Sequence, residues 1–193
     1  MSRPSGEANE AERALLARIA EGDERALEDL YQRFQPRIMA FANQRLNDLA
    51  AASDTLNEVM LEIWKSASRF EGRSSVATWI LSITRYRIID RLRKRGDRVF
   101  EDIEESSPAD TTANAEDVMA GVGDALSVRT CVERLPPAQR EVIHLAFFQE
   151  LSYSEIARVM DCPEGTVKTR VYHAKRSLKV CLAAGLAGSP AHA

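Results

Sequence analysis

The chain has 193 residues, of which 45% are hydrophobic, and its formal net charge is −3. This length suits one or two small domains with packed cores, and the slight negative charge excludes a uniformly basic nucleic-acid binder. No window is long and apolar enough to span a membrane and residues 1–10 are polar, so we expect a cytoplasmic protein without a secretion signal.

Helical periodicity runs through the first half of the chain, and no segment alternates apolar and polar residues as a half-buried strand does. A first helix around Leu15 and Ile19 is expected to stop at Gly22, with Asp23 as the N-cap of the next helix. Within that next helical pattern, Pro36 predicts a break or a first-turn position. These patterns predict an all-α protein.

The segment from Asp54 to Trp64 combines an apolar stripe with a second, acidic face. Asp54, Glu58 and Glu62 follow one another at intervals of four residues, which places them together on one side of a helix. We call these three residues the acidic ridge. Such a face is usually only solvated; the functional interpretation is a docking surface for a basic partner.

A loop at 68–75 leads into a strongly basic helix at 77–95. Its cations suit a phosphate backbone, and its apolar residues predict a side that faces the core. Phe70, on the loop, is equally consistent with core packing and with stacking on a flipped base, whereas Trp64 and Trp79 are predicted to lie in the core. The cations in and directly after this helix are Arg85, Arg87, Arg91, Arg93, Lys94, Arg95 and Arg98.

The composition of the chain changes sharply at Asp97. Between there and Asp124, nine carboxylates accompany a single arginine, and small or turn-forming residues supply much of the rest. A segment of this kind cannot bury enough apolar surface to order itself. We therefore predict two small helical domains, at 11–96 and 127–183, joined by a flexible acidic linker at 97–126.

The second domain contains a pattern typical of a helix-turn-helix. Ser152 and Glu155 have the spacing of a capping box, so a short helix is expected to begin between them. Asp161 and Cys162 occupy the predicted turn. The helix that follows is predicted to bury an apolar stripe made of Val167, Val171, Ala174 and Leu178.

The opposite face of this last helix is basic, and no carboxylate follows Glu164 within it. Such a helix fits the major groove of DNA, with its N-terminal half towards base edges and its cations towards phosphates. The alternative is a solvated basic face on a packed helical hairpin. The capping box, the short turn, this apolar stripe and the apolar face of the first helix (Ile156, Ala157, Val159 and Met160) together disfavour it. The basic face consists of Lys168, Thr169, Arg170, Tyr172, His173, Lys175, Arg176 and Lys179.

Taken in this order, these features resemble an extracytoplasmic-function (ECF, group IV) sigma factor of bacterial RNA polymerase over about residues 12–182. DTLNEVMLEIW is similar to the polymerase-docking helix of that family, and SRFEGRSSVATWILSITRYRIIDRLRKR to its −10 recognition segment. VERLPPAQREVIHLAFFQELSYSEIA opens the second domain in the family's manner, and CPEGTVKTRVYHAKRSLK is very close to its −35 recognition helix. The resemblance implies an alternative sigma factor that directs promoter-specific transcription initiation.

The resemblance also implies partners, and roles for the positions that match. The acidic ridge (Asp54, Glu58, Glu62) is expected to dock on a coiled coil of the polymerase β′ subunit, the β flap is a second expected contact, and an anti-sigma factor is expected to control the protein. The residues expected at the −10 element are Phe70 and Tyr86, at the pocket for its flipped base, together with Arg73, Arg87, Arg91, Arg93 and Lys94. The residues expected at the −35 element are Thr166, Lys168, Thr169, Arg170, Tyr172, His173, Lys175 and Arg176.

The chain departs from the family pattern at three of these places. Asn57 stands where the docking helix often has Gln, Tyr86 where the −10 segment often has Asn, and His173 where arginine is frequent in the −35 helix. Tyr86 therefore leaves the identity of the captured −10 base open, and His173 is compatible with a different −35 preference or with one that responds to pH.

Two other classes of function fit parts of the chain. A conventional helix-turn-helix regulator with an N-terminal sensing or dimerisation domain shares the second domain, but it does not need the basic helix at 77–95. It predicts tight operator binding without polymerase. An enzyme with a DNA-binding tail is disfavoured, because the sequence has no P-loop, no G-x-S-x-G, no H-E-x-x-H and no Gly-rich dinucleotide loop.

Cysteine and histidine usage predicts neither a disulfide nor a metal site. Cys131, Cys162 and Cys181 are far apart and odd in number, and with the three histidines they show no metal-ligand spacing. We expect three free thiols and no metal or cofactor. Among the thiols, Cys162 in the predicted turn is the one to test for redox sensitivity.

Overall fold

The computed structural model describes residues 6–96 and 125–187, with side chains placed over 128–184 in the second range. Every regular element within these ranges is a helix, which confirms the all-α prediction. The predicted linker lies outside the described residues as far as 124, and its last two residues belong to a helix. The helices before the gap are α1 (Gly6–Ala20), α2 (Glu24–Leu46), α3 (Leu49–Ser66) and α4 (Val76–Lys94), with a 3-10 turn at Ala67–Arg69. Those after it are α5 (Ala125–Glu133), α6 (Pro137–Ile143), a π-helical turn (His144–Phe148), α7 (Tyr153–Met160) and α8 (Glu164–Ala187).

Aspartate side chains cap two helices of the first domain. Asp23 accepts hydrogen bonds from the backbone N–H groups of Arg25 (3.0 Å) and Ala26 (3.2 Å), which confirms it as the N-cap of α2. Asp48 accepts from the Ala51 N–H at 3.0 Å and begins α3 in the same way. Each cap satisfies a donor that the first turn of a helix leaves unpaired.

Helix α2 continues through Pro36, so the predicted break is wrong. A proline inside a helix removes one backbone hydrogen bond and costs about 3 kcal/mol. Leu30, Phe34, Ile38 and Phe41 of the same helix are all fully buried. Burial of a large apolar side chain contributes about 1.5–3 kcal/mol, so these four outweigh the cost of the proline.

The helix-turn-helix is formed by α7 and α8. Ser152 Oγ accepts from the Glu155 N–H at 3.4 Å and Glu155 Oε2 accepts from the Ser152 N–H at 3.0 Å, which confirms the predicted capping box. Asp161 is the C-cap of α7 and adopts the left-handed conformation with φ 52°. The stripe predicted on α8 is buried: Val167, Val171, Ala174 and Leu178.

A disulfide joins Cys131 of α5 to Cys181 of α8, so the prediction of three free thiols is wrong. The two cysteines are 50 positions apart, but α5 packs along α8 and brings their Cα atoms to 5.9 Å. That distance is within bridging range, and it depends on how the two helices pack rather than on spacing in the sequence. Cys162 keeps its thiol and is half-buried in the turn between α7 and α8.

Two large hydrophobic cores organise the described part of the chain. One lies within the first domain and includes Leu16 and Ile63. The other spans both domains: Leu81 and Ile88 of α4 share it with Ile156 of α7. The second domain therefore packs directly on the first, with α7 against α4.

Candidate nucleic-acid and partner interfaces

The acidic ridge on α3 and the arginines of α4, which the sequence assigned to two different partners, bond to each other. Arg91 Nη1 lies 3.3 Å from Asp54 Oδ2, and Arg91 Nη2 lies 2.6 Å from Glu58 Oε1. Arg87 Nη2 lies 2.6 Å from Glu62 Oε2. α3 packs on α4, which brings the two charged rows side by side. In this structure the first domain neutralises its own candidate docking and DNA-binding groups.

These ion pairs remain accessible to a competitor. The side chains of Asp54 and Glu58 are 64% and 45% exposed, and that of Arg91 is 21% exposed. Solvated pairs of this kind contribute only about 0–1 kcal/mol each. A basic partner surface that binds the carboxylates can therefore displace the arginines at little cost.

Two further cations predicted for the −10 element lie at the end of α4. Lys94 Nζ is 2.8 Å from Asp90 Oδ2, and this hydrogen bond holds the pKa of Asp90 below its ordinary value. Arg93 is exposed beside it. Arg95, next along the chain, pairs with Asp48 at 3.1 Å.

Phe70 lies at the edge of the core of the first domain. It is half-buried, and its ring centroid is 5.3 Å from that of Trp79, which also packs against this core. Arg13 of α1 lies over the ring at 6.0 Å and donates to the Gly72 carbonyl at 3.0 Å, which ties the loop to α1. Gly72 has φ +71°, a conformation that favours glycine. The core predictions for Trp79 and for Trp64 are confirmed, and Phe70 combines core packing with a partly accessible face.

Tyr86 is placed away from that loop. Its side chain is 66% exposed on α4, with the Arg87 guanidinium 5.9 Å from the ring. It follows Trp79, the contact of Phe70, by two helical turns, or about 10 Å. A base pocket shared by Phe70 and Tyr86 stays a prediction. Arg73 lies on the loop itself, exposed and paired with a neighbouring glutamate.

The predicted −35 face of α8 is largely accessible. Lys168 pairs with Glu164 at 2.9 Å, and Tyr172 meets His173 edge-on at 5.5 Å. Thr169 donates to the Gly165 carbonyl at 3.1 Å. The members of the predicted set that are exposed or half-exposed are Thr166, Lys168, Thr169, Arg170, Tyr172, His173 and Arg176.

Lys175 differs from the rest of that set. It is only 7% exposed, so its ammonium group is not part of the accessible face in this structure. The position follows Ala174 directly and lies beside the buried stripe of α8. Its assignment as a −35 contact stays a prediction, with less structural support than its neighbours have.

A groove of about 880 Å³ runs beside the −35 face, between α5 and the C-terminal half of α8. His173 and Arg176 line it, and Arg134 enters from the end of α5. Thr130 and Ser177 add hydroxyl groups, and none of the described residues that line the groove is acidic. Sequence reasoning missed Arg134, because a single arginine before Leu135 in VERLPP carries no periodic signal.

No helix within the two described ranges is long and apolar enough to cross a membrane. The same ranges contain no cluster of three or more His, Cys, Asp or Glu side chains placed to hold a metal ion.

Comparison with known protein families gives two matches along the chain. Residues 14–98 match Sigma-70 region 2, and residues 125–178 match Sigma-70, region 4. The first match contains the acidic ridge and α4, and the second contains α6, α7 and most of α8.

Individual relatives cover most of the chain. The ECF RNA polymerase sigma factor SigK of Mycobacterium tuberculosis is 31% identical over 174 residues, which are 88% of this chain and 92% of SigK. The ECF RNA polymerase sigma factor RpoE of Cereibacter sphaeroides is 35% identical over 150 residues, which are 77% of this chain and 82% of that protein. Among solved structures, the sigma factor RpoE in complex with the anti-sigma factor NepR from Bartonella quintana is similar with a TM-score of 0.59 and 26% identity. That match covers 81% of this chain and 98% of the solved chain.

Proposed function

The chain belongs to the extracytoplasmic-function group of the sigma-70 family, and from this membership we propose that it is an alternative sigma factor that binds core RNA polymerase and directs initiation at a specific set of promoters. The observation that carries the proposal is the order of the two matches, region 2 followed by region 4 on one chain. A conventional helix-turn-helix regulator does not need the first of them.

In this proposal the first domain, at 11–96, docks on polymerase and reads the −10 element. The acidic ridge is the docking surface for the β′ coiled coil, and its exposure in the structure supports that role. The loop and α4 contact −10 DNA. The residues assigned there are Phe70, Arg73, Tyr86, Arg87, Arg91, Arg93 and Lys94.

The second domain, at 127–183, reads the −35 element with α8 and contacts the β flap. Side chains in the first half of α8 face base edges, and its cations face phosphates. Arg134 lines the groove beside that face, which supports adding it to the residues that contact the phosphate backbone of the DNA. The other residues assigned to the −35 element are Thr166, Lys168, Thr169, Arg170, Tyr172, His173, Lys175 and Arg176.

The net charge of −3 agrees with a protein that binds DNA on a scaffold. Each small domain alone makes few phosphate contacts and binds weakly. When polymerase holds both domains, the second contact becomes intramolecular, with an effective concentration that reaches about millimolar for short flexible linkers. The protein itself then needs no catalytic activity and no cofactor, and it acts in the cytoplasm with the polymerase.

Control by an anti-sigma factor is part of the same proposal. The sigma factor RpoE of Bartonella quintana, to which this chain is similar, was crystallised with the anti-sigma factor NepR. A partner that covers the acidic ridge and the arginines of α4 would switch off docking and DNA binding together, since the two sets of side chains lie side by side.

The proposal is tested by run-off transcription with core RNA polymerase on a genomic promoter library. Wild type is compared with Asp54→Ala/Glu58→Ala and with a control, Glu28→Ala/Asp29→Ala, whose carboxylates are exposed on α2. We expect new transcripts with wild type and control, and at least a tenfold reduction with the ridge variant.

The upstream sequences of these transcripts identify both promoter elements. Absence of new transcripts, together with tight binding of the protein alone to duplex DNA, would instead establish the conventional regulator. That outcome would remove the role given to the first domain.

A further inference from the structure

We propose, on the basis of the function proposed above, that the second domain inhibits the first: in the free protein α7 holds the −10 loop and the start of α4 in a closed form that must open before promoter recognition. Four features of the contact between the domains carry this proposal.

The first feature is a shared apolar core. Leu81 and Ile88 of α4 are almost fully buried, and they belong to the same cluster as Leu145 and Ile156 of the second domain. Separation of the domains would expose apolar surface on both sides of this seam. The hydrophobic effect therefore favours the closed form when no other partner is present.

The second feature is a buried charge whose partners lie in the other domain. Glu141 of α6 is 2% exposed, and its Oε1 accepts from Arg85 Nε of α4 at 2.9 Å. Arg45 of α2 approaches Oε2 at 3.8 Å. A carboxylate removed from water requires such partners. The buried carboxylate of Glu141 therefore has these arginine partners only when the two domains are packed together.

The third feature lies at the −10 loop. Glu155, the capping-box residue of α7, also accepts from Ser75 Oγ (3.0 Å) and Thr78 Oγ1 (3.2 Å) at the start of α4. Arg158 of α7 donates to the Arg73 carbonyl at 2.7 Å. Burial raises the pKa of Glu155, but these hydrogen bonds and those from Ser152 outweigh it and hold the pKa below its ordinary value. The helix-turn-helix therefore bonds directly to the loop assigned to the −10 element.

The fourth feature is a reciprocal pair between α2 and the turn before α7. Arg37 donates from Nε to Gln149 Oε1 at 2.9 Å and from Nη2 to the Gln149 carbonyl at 3.1 Å. Gln149 Nε2 donates back to the Arg37 carbonyl at 3.3 Å, and Gln149 is only 4% exposed. Neither residue belongs to the proposed docking or DNA-binding sets, so this pair can be altered without touching them.

The closed form cannot read a promoter, because the two elements are too far apart on DNA. Positions −35 and −10 are separated by roughly 25 base pairs, or about 85 Å of B-DNA. In the closed form α4 and α7 touch. The 28 residues between the described ranges reach at most about 95 Å when fully extended, which is enough for the open form.

The test weakens the closure without altering the proposed sites. Arg37→Ala/Gln149→Ala is compared with Gln32→Ala/Arg33→Ala, which removes the same residue types from the exposed side of α2. Small-angle scattering measures the free proteins, and run-off transcription is titrated with core polymerase. We expect Arg37→Ala/Gln149→Ala to have a larger radius of gyration than wild type and control. We also expect it to reach half-maximal transcription at a polymerase concentration at least threefold lower.

A second experiment cross-links the closed form, and its outcome does not depend on whether Arg37→Ala/Gln149→Ala is stably folded. Arg37→Cys/Gln149→Cys, in a Cys162→Ser background, is joined with a short bis-maleimide. We expect the linked protein to lose promoter-dependent transcription and the unlinked protein to retain it. Equal transcription by linked and unlinked protein overturns the proposal. The proposal is also overturned if Arg37→Ala/Gln149→Ala folds but has the radius of gyration and the half-maximal polymerase concentration of wild type. Absence of transcription with wild type at every polymerase concentration would instead reject the proposed function.

Discussion

The arginines of α4 and the cations of α8 are both assigned to DNA, but they lie in different electrostatic settings. On α4, Arg87 and Arg91 bond to three carboxylates of α3. On α8 the basic face has a single acidic residue, Glu164, which pairs with Lys168. The first set needs a competitor for its carboxylates before it can bind phosphate, whereas Glu164 is the one carboxylate within α8 itself. We therefore expect polymerase docking on the acidic ridge to release the arginines of α4 for the −10 element.

The two domains also differ in how they are stabilised. The first domain contains no cysteine and relies on the packed core of α1 to α4. The second is smaller, and a disulfide holds α5 on α8. The predictions that follow test these contrasts, from the largest expected effect to the smallest.

Loss of the disulfide is expected to destabilise the second domain selectively. Cys131→Ser/Cys181→Ser opens a cross-link between residues 50 positions apart, for which chain entropy predicts a loss of up to about 4 kcal/mol. Both tryptophans, Trp64 and Trp79, lie in the first domain, so their fluorescence reports that domain alone. Thermal unfolding should show an early circular-dichroism transition that precedes the fluorescence change. Cys162→Ser serves as the control, and coincident, unshifted transitions in the double variant would contradict the prediction.

Acidification is expected to weaken the seam between the domains. His144 is 7% exposed and stacks between Phe41 (5.6 Å) and Phe148 (5.3 Å), and burial lowers its pKa from 6.5 to about 4. In the unfolded chain the His144 imidazole takes up a proton at a higher pH than it does in the folded chain. The free energy of unfolding is therefore undiminished above about pH 6.5 and falls by about 3 kcal/mol as the pH drops from 6.5 to 4.

Urea unfolding between pH 7 and pH 4 measures this effect. Carboxylates also titrate in this range, so the wild-type curve is compared with that of His144→Gln, which lacks the ionisable ring. Wild type should lose more stability than the variant on acidification. Parallel curves for the two proteins would show that His144 does not contribute.

Removal of Arg134 is expected to weaken −35 binding through the phosphate backbone. Arg134→Ala should lower promoter affinity severalfold in the polymerase complex, and reduce the slope of log affinity against log salt by about 1, because one phosphate contact is lost. Arg129→Ala is the control, since Arg129 lies on α5 close to Arg134 in the chain, pairs with Glu133 and does not line the groove. Equal salt slopes for the two variants would remove Arg134 from the interface.

The coupling between Arg91 and Glu58 is expected to be the smallest effect. A double-mutant cycle of Arg91→Ala and Glu58→Ala in the free protein should give no more than about 1 kcal/mol, because the pair is partly solvated. The coupling should shrink further in high salt. A value above about 2 kcal/mol, measured by urea unfolding, would mean that the ridge is a structural element rather than an exchangeable docking surface.

Local features of the sequence predicted much of the fold. The cap at Asp23 and the capping box of Ser152 and Glu155 involve atoms within three residues of each other, so their spacing is visible in the chain. The buried stripe of α8 follows the period of a helix in the same way. Pro36 shows the limit of local rules, since tertiary burial of the residues around it keeps α2 continuous.

The sequence by itself determined the helical class, the helix-turn-helix and the charged faces, because each is set by residues within one or two helical turns. Only the tertiary structure decided which faces meet: the Arg85–Glu141 pair, the bond from Ser75 to Glu155 and the disulfide join residues 56, 80 and 50 positions apart. Such contacts depend on how whole helices pack, and helix packing is set by the summed fit of many side chains. The charge pattern predicts partner-binding faces on α3 and α4, whereas packing within the first domain determines that these faces bond to each other.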